Sequence, residues 1–148
     1  MSKIALKRYN TVMFKHVNGY LRTGISYGSK AMTIDMIKGM TEELETTTEE
    51  RVVYRGGIPE GFKVGDTLID KGFISTSKDE DVAFHYALTN GVMMRVKLPK
   101  GVKAIDMAKK LGHDYFYKHE KEIILAPGTP IKVTGMVEDN YYDAEVVV

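Results

Sequence analysis

The chain has 148 residues, 43% of them hydrophobic and 28% charged, with a formal net charge of +1. A globular chain of this size buries about 70% of its unfolded surface. We therefore expect one domain over residues 1–148 that folds without a disulfide or a structural metal. The charge gives no overall attraction to nucleic acid, and no apolar run approaches the roughly 20 residues of a membrane span. We therefore predict a soluble monomer with neither a nucleic-acid nor a membrane partner.

Two further absences narrow the chemistry. The chain has no cysteine, which excludes disulfides, thiolate catalysis and cysteine-ligated zinc. Its four histidines (His16, His85, His113 and His119) show no metal-ligand spacing, so we predict no metal. The N-terminus lacks the apolar core and cleavage site of a secretory signal, so any export signal would lie elsewhere.

Residues 1–50 have the pattern of a helical part. Apolar residues recur at a helical period from Tyr9 to Leu21, and Gly24 ends this helix. Ser29 has the character of an N-cap for a second amphipathic helix that extends to Leu44. Bases dominate residues 1–34 and acids dominate residues 35–50, which favours two helices that pair opposite charges; the alternative is a partner-binding surface.

Residues 51–148 have the pattern of a strand-rich part. The segment VVYR predicts a strand, GGIPEG a turn, and DTLIDKGFISTS extended chain. Ser77 is a candidate cap for a helix from about Asp79 to Leu88. The remaining segments predict further strands, interrupted by a short helix and loop over residues 108–118: VMMRVKLP, VKAIDM, EIILAP, PIKVTGMVE and YYDAEVVV. Helices followed by a mostly antiparallel sheet system indicate the α+β class.

The segment HEKEIIL places Glu120 and Glu122 one residue apart at the head of an apolar run. On a β-strand the two carboxylates would point to the same side. At about 7 Å they repel by roughly 2 kcal/mol at an effective dielectric near 20, and by less in water, so a solvated strand face is the ordinary explanation. Three neighbouring motifs favour a functional explanation instead.

These motifs occur in a fixed order: Tyr54-Arg55-Gly56, then Phe73-Ile74-Ser75-Thr76-Ser77, then Glu120-Lys121-Glu122. Each is weak alone, but together they resemble the mono-ADP-ribosyltransferases of the arginine, STS and ExE class. That class includes the catalytic domains of bacterial binary actin toxins, Rho-modifying exoenzymes and small phage-encoded transferases used in host takeover. The resemblance covers nearly the whole chain, and implies N-terminal helices packed on a mostly antiparallel two-sheet β core.

The resemblance also implies an activity. Such enzymes transfer ADP-ribose from NAD+ to a target protein and release nicotinamide, with no metal. Expulsion of a neutral pyridine from a cation needs no general acid, and a carboxylate can stabilise the developing oxocarbenium ion. The family pattern gives this role to Glu122. The same pattern assigns Glu120 to contact the acceptor side chain. In the family, a glutamate at this place accompanies modification of arginine, and a glutamine accompanies modification of asparagine.

The other motifs acquire roles by the same resemblance. Arg55 would bind the NAD+ phosphates with Gly56 beside it, and Ser75 would position the catalytic glutamate. Thr76 would line the NAD+ site and have a mainly structural role. Ser77 would support the fold or cap a helix. The ordinary alternatives are a surface arginine at a strand end and serines that form a turn.

Two aromatic assignments follow from the family pattern. An aromatic ring after the STS motif packs against nicotinamide, and Phe84 and Tyr86 are both in range; we prefer Phe84. Three adjacent aromatics at residues 115–117 precede ExE, where family members recognise their target, and we choose Tyr117 for that role.

We therefore expect an NAD+-dependent protein-arginine mono-ADP-ribosyltransferase that acts in the cytosol of a target or host cell. The alternatives are an NAD+ glycohydrolase, with water as acceptor, and a non-catalytic domain that binds NAD+ or a partner. Nucleic acid as acceptor is motivated only by the basic N-terminal third.

Overall fold

The structure is a computed structural model that describes residues 5–6, 9, 14–26, 28–58, 60–89, 91–112 and 121–148. The helices with defined bounds are α1 (Phe14–Thr23), α2 (Lys30–Glu42), α3 (Glu80–Thr89) and α4 (Met107–Leu111). The strands are β1 (Glu45–Thr46), β2 (Arg51–Ile58), β3 (Thr67–Ile69), β4 (Ile74–Ser77), β5 (Val92–Leu98), β6 (Lys103–Asp106), β7 (Glu122–Leu125), β8 (Pro130–Glu138) and β9 (Tyr141–Val146).

The helix boundaries follow from local capping. Ser29 caps α2, because its hydroxyl accepts a hydrogen bond from the backbone N–H of Met32 at 3.2 Å, as predicted. Gly24 ends α1 with a φ of +76°, a conformation that glycine adopts without strain. The cap of α3 differs from the prediction: Asp79, directly before the helix, accepts from the N–H of Asp81, while Ser77 accepts from the N–H of Asp79.

The sheet order is β1-β6-β7-β4-β2-β5-β9-β8-β3, and every ladder is antiparallel except the parallel pair β5–β9. The predicted α+β fold with a mostly antiparallel sheet is therefore confirmed. The expectation of two separate sheets needs correction, because hydrogen-bonded ladders join all nine strands. The joint is narrow: among the described residues, β2 and β4 share the single pair Tyr54↔Ser77.

Two apolar clusters lie on opposite faces of the sheet near this joint. Side chains alternate along β7, so Ile124 packs against the N-terminal helices, with Val17 and Met40, while Ile123 and Leu125 join the larger strand cluster. The predicted packing of N-terminal helices on a β core is thus present. It places α1 beside β4 and β7, the strands that carry the second and third motifs.

One local expectation was wrong. The glycines of GGIPEG do not all form a turn, because Gly56, Gly57 and Ile58 continue β2 through a register shift. The predicted charge pairing between the first two helices is not tested, because Lys3, Lys7 and Arg8 lie outside the described residues. Among the described residues, Arg22 pairs with Asp70, and the acids after α2 pair with lysines of α4.

The helices of the described residues include none that is both long enough and apolar enough to span a bilayer.

Candidate active site

A cavity of about 330 Å³ opens at the narrow joint between β2 and β4. It is lined by Tyr9 and Phe14 from the N-terminal part, by Tyr54, Arg55 and Gly56 of β2, by Ser75, Thr76 and Ser77 of β4, by Val82, Ala83 and Tyr86 of α3, and by Glu122 of β7. The structure therefore brings residues of all three sequence motifs to one concave surface.

Strand pairing positions the third motif against the second. Ser77 lies opposite Glu122 in the β4–β7 ladder, and Ser77 also pairs with Tyr54 of β2. Paired residues share a face and alternate residues repeat it, so Ser75 and Ser77 lie on the same face as Glu122. The carboxylate of Glu122, the first residue of β7, thus projects beside two hydroxyl groups.

Arg55 crosses from β2 to β4. Its Nη1 donates a hydrogen bond to the backbone carbonyl of Ser75 at 3.0 Å, and its Nη2 lies 3.9 Å from a carboxylate oxygen of Asp70. Burial lowers the pKa of the Arg55 guanidinium, and the charge of Asp70 opposes that shift. Since arginine remains protonated in proteins, the cavity wall carries a partly desolvated positive charge.

Asp70 is shared by two arginines. Arg22 binds it through a bidentate pair, Nε to Oδ1 at 2.8 Å and Nη2 to Oδ2 at 2.9 Å, and the N–H of Gly72 donates to Oδ1 at 2.8 Å. Burial opposes ionisation of Asp70, but the hydrogen bonds from Arg22 and Gly72 outweigh it, so the pKa of this carboxyl lies below its usual value. Two guanidinium groups thus share one carboxylate beside the cavity.

Tyr9 forms a buried wall of the cavity. Its hydroxyl accepts a hydrogen bond from Nδ2 of Asn18 at 2.9 Å, and Oδ1 of Asn18 accepts from the backbone N–H of Phe73 at 2.8 Å. Its ring packs edge-to-face on Phe73. Burial raises the pKa of Tyr9 to about 12, while hydrogen bonds with Asn18 and Ser75 act in the opposite direction. This network fixes α1 to the start of the FISTS segment.

Sequence reasoning missed Tyr9 and Phe14 as cavity residues. Both lie in the N-terminal helical pattern, where an aromatic residue has the periodicity of ordinary core. No sequence signal distinguishes them, since their proximity to Glu122 depends on how the helices pack on the sheet.

Gly56 and Thr76, both predicted at the NAD+ site, line the cavity and also have structural parts. A Cβ atom on Gly56 would lie 1.7 Å from the carbonyl oxygen of Ala83, so α3 packs directly against the backbone of β2. The hydroxyl of Thr76 donates to the carbonyl of Ile123 at 2.7 Å and is buried. Thr76 therefore ties β4 to β7.

The two aromatic candidates after the STS motif line different concave surfaces. Tyr86 lines the cavity together with Glu122, whereas Phe84 lines a different concavity. Both side chains are about half exposed, Tyr86 at 55% and Phe84 at 51%. The two residues are separated by two positions on α3, about 200° around a helix, so they cannot share a face. The close approach of Gly56 to Ala83 brings the face of α3 that carries Val82, Ala83 and Tyr86 to the cavity.

The ExE segment also departs from the sequence argument. β7 begins at Glu122, and Lys121 has a φ of +47°, so the strand alternation that placed Glu120 and Glu122 on one face does not extend across Lys121. The carbonyl of Lys121 accepts a hydrogen bond from the N–H of Lys78, which ties Lys121 to the residue that follows β4. Glu120 and Tyr117 lie outside the described residues.

No group of three or more histidine, aspartate and glutamate side chains is placed to hold a metal ion in the part of the chain that the structure describes.

Comparison with known proteins identifies the class of protein. A family model for the ADP-ribosyltransferase exoenzymes matches residues 58–146, more than half of the chain. The chain therefore belongs to the ADP-ribosyltransferase exoenzyme family, and the family resemblance inferred from the motifs is confirmed. Enzymes of this family use NAD+ as the ADP-ribose donor. Arg55 lies just before the matched range.

Individual relatives agree with this assignment. The chain is 31% identical over 113 residues to the mono(ADP-ribosyl)transferase SpvB of Salmonella typhimurium; the match covers 70% of this chain and 17% of that protein. The chain thus spans about a sixth of the length of this relative.

Solved structures share the fold. The ADP-ribosyltransferase Vis in complex with agmatine aligns with a TM-score of 0.79 at 23% identity, covering 99% of this chain and 74% of that one. Exoenzyme S of Pseudomonas aeruginosa, solved with human 14-3-3 protein beta and bound to carba-NAD, aligns with a TM-score of 0.72 at 22% identity, covering 96% and 71%.

Proposed function

We propose that this protein transfers ADP-ribose from NAD+ to an arginine side chain of a target protein and releases nicotinamide. The observation that carries the proposal is the convergence of Arg55, Ser75 and Glu122, from three different strands, on one cavity. Family membership supplies the reaction class, and these residues supply groups of the required chemistry.

Glu122 is the proposed catalytic carboxylate. Breaking the bond between nicotinamide and ribose leaves positive charge on the sugar, and a carboxylate beside it lowers the energy of that state. The same carboxylate accepts a hydrogen bond from a ribose hydroxyl and orients the sugar. Ser75, on the same face of the sheet, is proposed to hold Glu122 in position.

Arg55 is the proposed partner of the diphosphate. A planar guanidinium donates two parallel hydrogen bonds to phosphate oxygens. Arg55 is already oriented by the carbonyl of Ser75 and the carboxylate of Asp70, so little side-chain entropy is lost on binding. Gly56 and Thr76 line the same cavity, and Tyr86 replaces Phe84 as the ring proposed to pack against nicotinamide.

Arginine as acceptor rests on Glu120, which we propose binds the guanidinium and takes up its proton during attack. The solved complex of Vis with agmatine, a small molecule that carries a guanidinium group, supports a guanidinium acceptor in a protein of this fold. Tyr117 remains the proposed contact with the target protein. We further propose that the chain is one catalytic domain, active as a monomer, that acts in the cytosol of a target or host cell.

The test uses labelled NAD+ and agmatine as acceptor, with the matched variants Glu122→Gln and Glu49→Gln. Glu49 is exposed and lies outside the cavity, so its variant controls for loss of one carboxylate. We expect the wild type and Glu49→Gln to form labelled agmatine and Glu122→Gln to be at least about 100-fold slower. Equal rates for all three proteins would overturn the assignment of Glu122. Nicotinamide release without a labelled acceptor would indicate a glycohydrolase instead.

A Glu120→Gln variant tests the acceptor role separately. If Glu120 serves only the acceptor, labelling of agmatine falls about 100-fold while release of nicotinamide to water continues. Parallel loss of both reactions would contradict a role limited to the acceptor.

A further inference from the structure

A second concavity, of about 580 Å³, lies on a different face of α3 from the active-site cavity. We refer to it as the acidic groove. It is lined by Glu80, Asp81, Phe84 and Leu88 of α3 and by Glu138 and Asp139 where β8 turns into β9.

The groove has an apolar wall. Phe84 and Leu88 project from one face of α3 and are 51% and 66% exposed, and the buried Met93 of β5 also lines the groove. Neighbouring exposed apolar side chains in a concavity form a surface that gains free energy when a partner covers it.

The rim of the groove is acidic. Among the described residues that line it, four are acids and none is basic, although the whole chain carries a net charge of +1. Among the described residues, Asp81, Glu138 and Asp139 form no ion pair. The dipole of α3 favours acids in its first turn but does not act on the acids of the β8–β9 turn. These like charges repel one another, and a cationic partner would relieve that repulsion.

The groove is preformed. The hydroxyl of Tyr141 donates to Glu80 at 2.6 Å, which fixes the start of α3 to β9. The carbonyl of Asn140 accepts from the N–H of Met93 at 3.0 Å, which fixes the β8–β9 turn to β5. A partner therefore meets walls that need little reorganisation.

We propose that the acidic groove docks a basic segment of a partner protein that also carries apolar side chains. Lysines or arginines of the segment contact the acids of the rim, and its apolar side chains cover Phe84 and Leu88. Because the groove and the active-site cavity use different faces of α3, a docked partner leaves the cavity open.

Fluorescence titration with a short peptide of alternating lysine and leucine that contains one tryptophan tests the proposal. This protein has no tryptophan, so the emission reports the peptide alone. The test variants are Leu88→Ser and Asp139→Lys. The matched controls are Ile69→Ser and Glu49→Lys, which change exposed residues outside the groove. Circular dichroism verifies that each variant is folded.

We expect the peptide emission to shift to the blue on binding, and the dissociation constant to rise at least about tenfold in both test variants, with less than about a twofold change in the controls. A peptide with glutamate in place of lysine is expected not to bind the wild type. Equal affinity of both peptides, equal affinity in all variants, or self-association of the chain through the groove would overturn the proposal. Nicotinamide release, measured in the same samples, is expected to be unchanged, so failure of the proposed function is seen separately.

Discussion

The guanidinium of Arg55 donates a hydrogen bond to the backbone carbonyl of Ser75 at 3.0 Å. This bond connects β2 to β4 where the ladder between them has one residue pair. The two strands therefore separate at the site that also contains Glu122. A gap in an otherwise continuous sheet leaves polar side chains and backbone facing a cavity, and this gap contains the groups that the proposed reaction requires.

The contact between Gly56 and Ala83 is predicted to set the position of α3. In Gly56→Ala the new methyl group would lie 1.7 Å from the Ala83 carbonyl oxygen, so the helix or the strand must move. We expect the free energy of unfolding to fall by about 1–3 kcal/mol, measured by urea denaturation. The control is Gly19→Ala, where nothing lies within 4 Å of the new atom. It is expected to be more stable by about 0.5–1 kcal/mol, because glycine within a helix is destabilising. Unchanged stability of Gly56→Ala would show that the packing is looser than described.

Asp70 is predicted to act as a positioning residue for Arg55. Asp70→Asn keeps the shape but removes the charge that holds Arg22 and Arg55, so we expect the KM for NAD+ to rise about tenfold with a smaller change in kcat. Steady-state measurement of nicotinamide release distinguishes the two parameters. Asp35→Asn, at an exposed position of α2, controls for loss of a carboxylate. A fall in kcat at constant KM would contradict this role.

Tyr86 and Phe84 are predicted to differ in their effect on NAD+. Tyr86→Ala removes a ring from the cavity wall, so we expect the KM for NAD+ to rise about tenfold. Phe84→Ala, on the other face of α3, is expected to leave the kinetics unchanged. A raised KM for Phe84→Ala with unchanged kinetics for Tyr86→Ala would contradict this prediction and favour Phe84, the residue preferred from the sequence.

Tyr9 is predicted to make stability depend on alkaline pH. Its pKa is raised from 10.0 to about 12 by burial, so the folded state favours the protonated phenol. This contribution is fully present below pH 10 and is lost as the pH rises through about 12. Tyr9→Phe is expected to be about 1 kcal/mol less stable at neutral pH, because the hydrogen bond with Asn18 is lost.

As the pH rises above 10, the melting temperature of Tyr9→Phe is therefore expected to fall less than that of the wild type. Tyr20→Phe, the same change on a half-buried tyrosine of α1, is the control and is expected to keep the wild-type decline. Identical alkaline declines in all three proteins would contradict the prediction.

Features that depend on local physics were predictable from the sequence. Ser29 caps α2 through its own side chain, Gly24 ends α1 through its backbone freedom, and β5 ends at Leu98, directly before Pro99. The gathering of Arg55, Ser75 and Glu122 was inferred from ordered motifs, and the strand ladders bring these residues to one cavity.

Features that depend on tertiary contacts were not predictable. Gly56 and Gly57, predicted as part of a turn, continue β2. The close approach of α3 to Gly56 is a tertiary contact that turn-forming composition does not indicate. Periodicity identifies the faces of a helix but not which face meets the cavity, so Phe84 was preferred over Tyr86. Strand alternation was assumed through Lys121, whose positive φ breaks it, and such a conformation has no sequence signal in a lysine.

The central claim is that Arg55, Ser75 and Glu122 surround one NAD+ molecule, and a crystal structure with a non-hydrolysable NAD+ analogue tests it most directly. We predict the analogue in this cavity, with its diphosphate at Arg55 and its nicotinamide ribose at Glu122. An analogue bound at another surface, with this cavity left empty, would contradict the account.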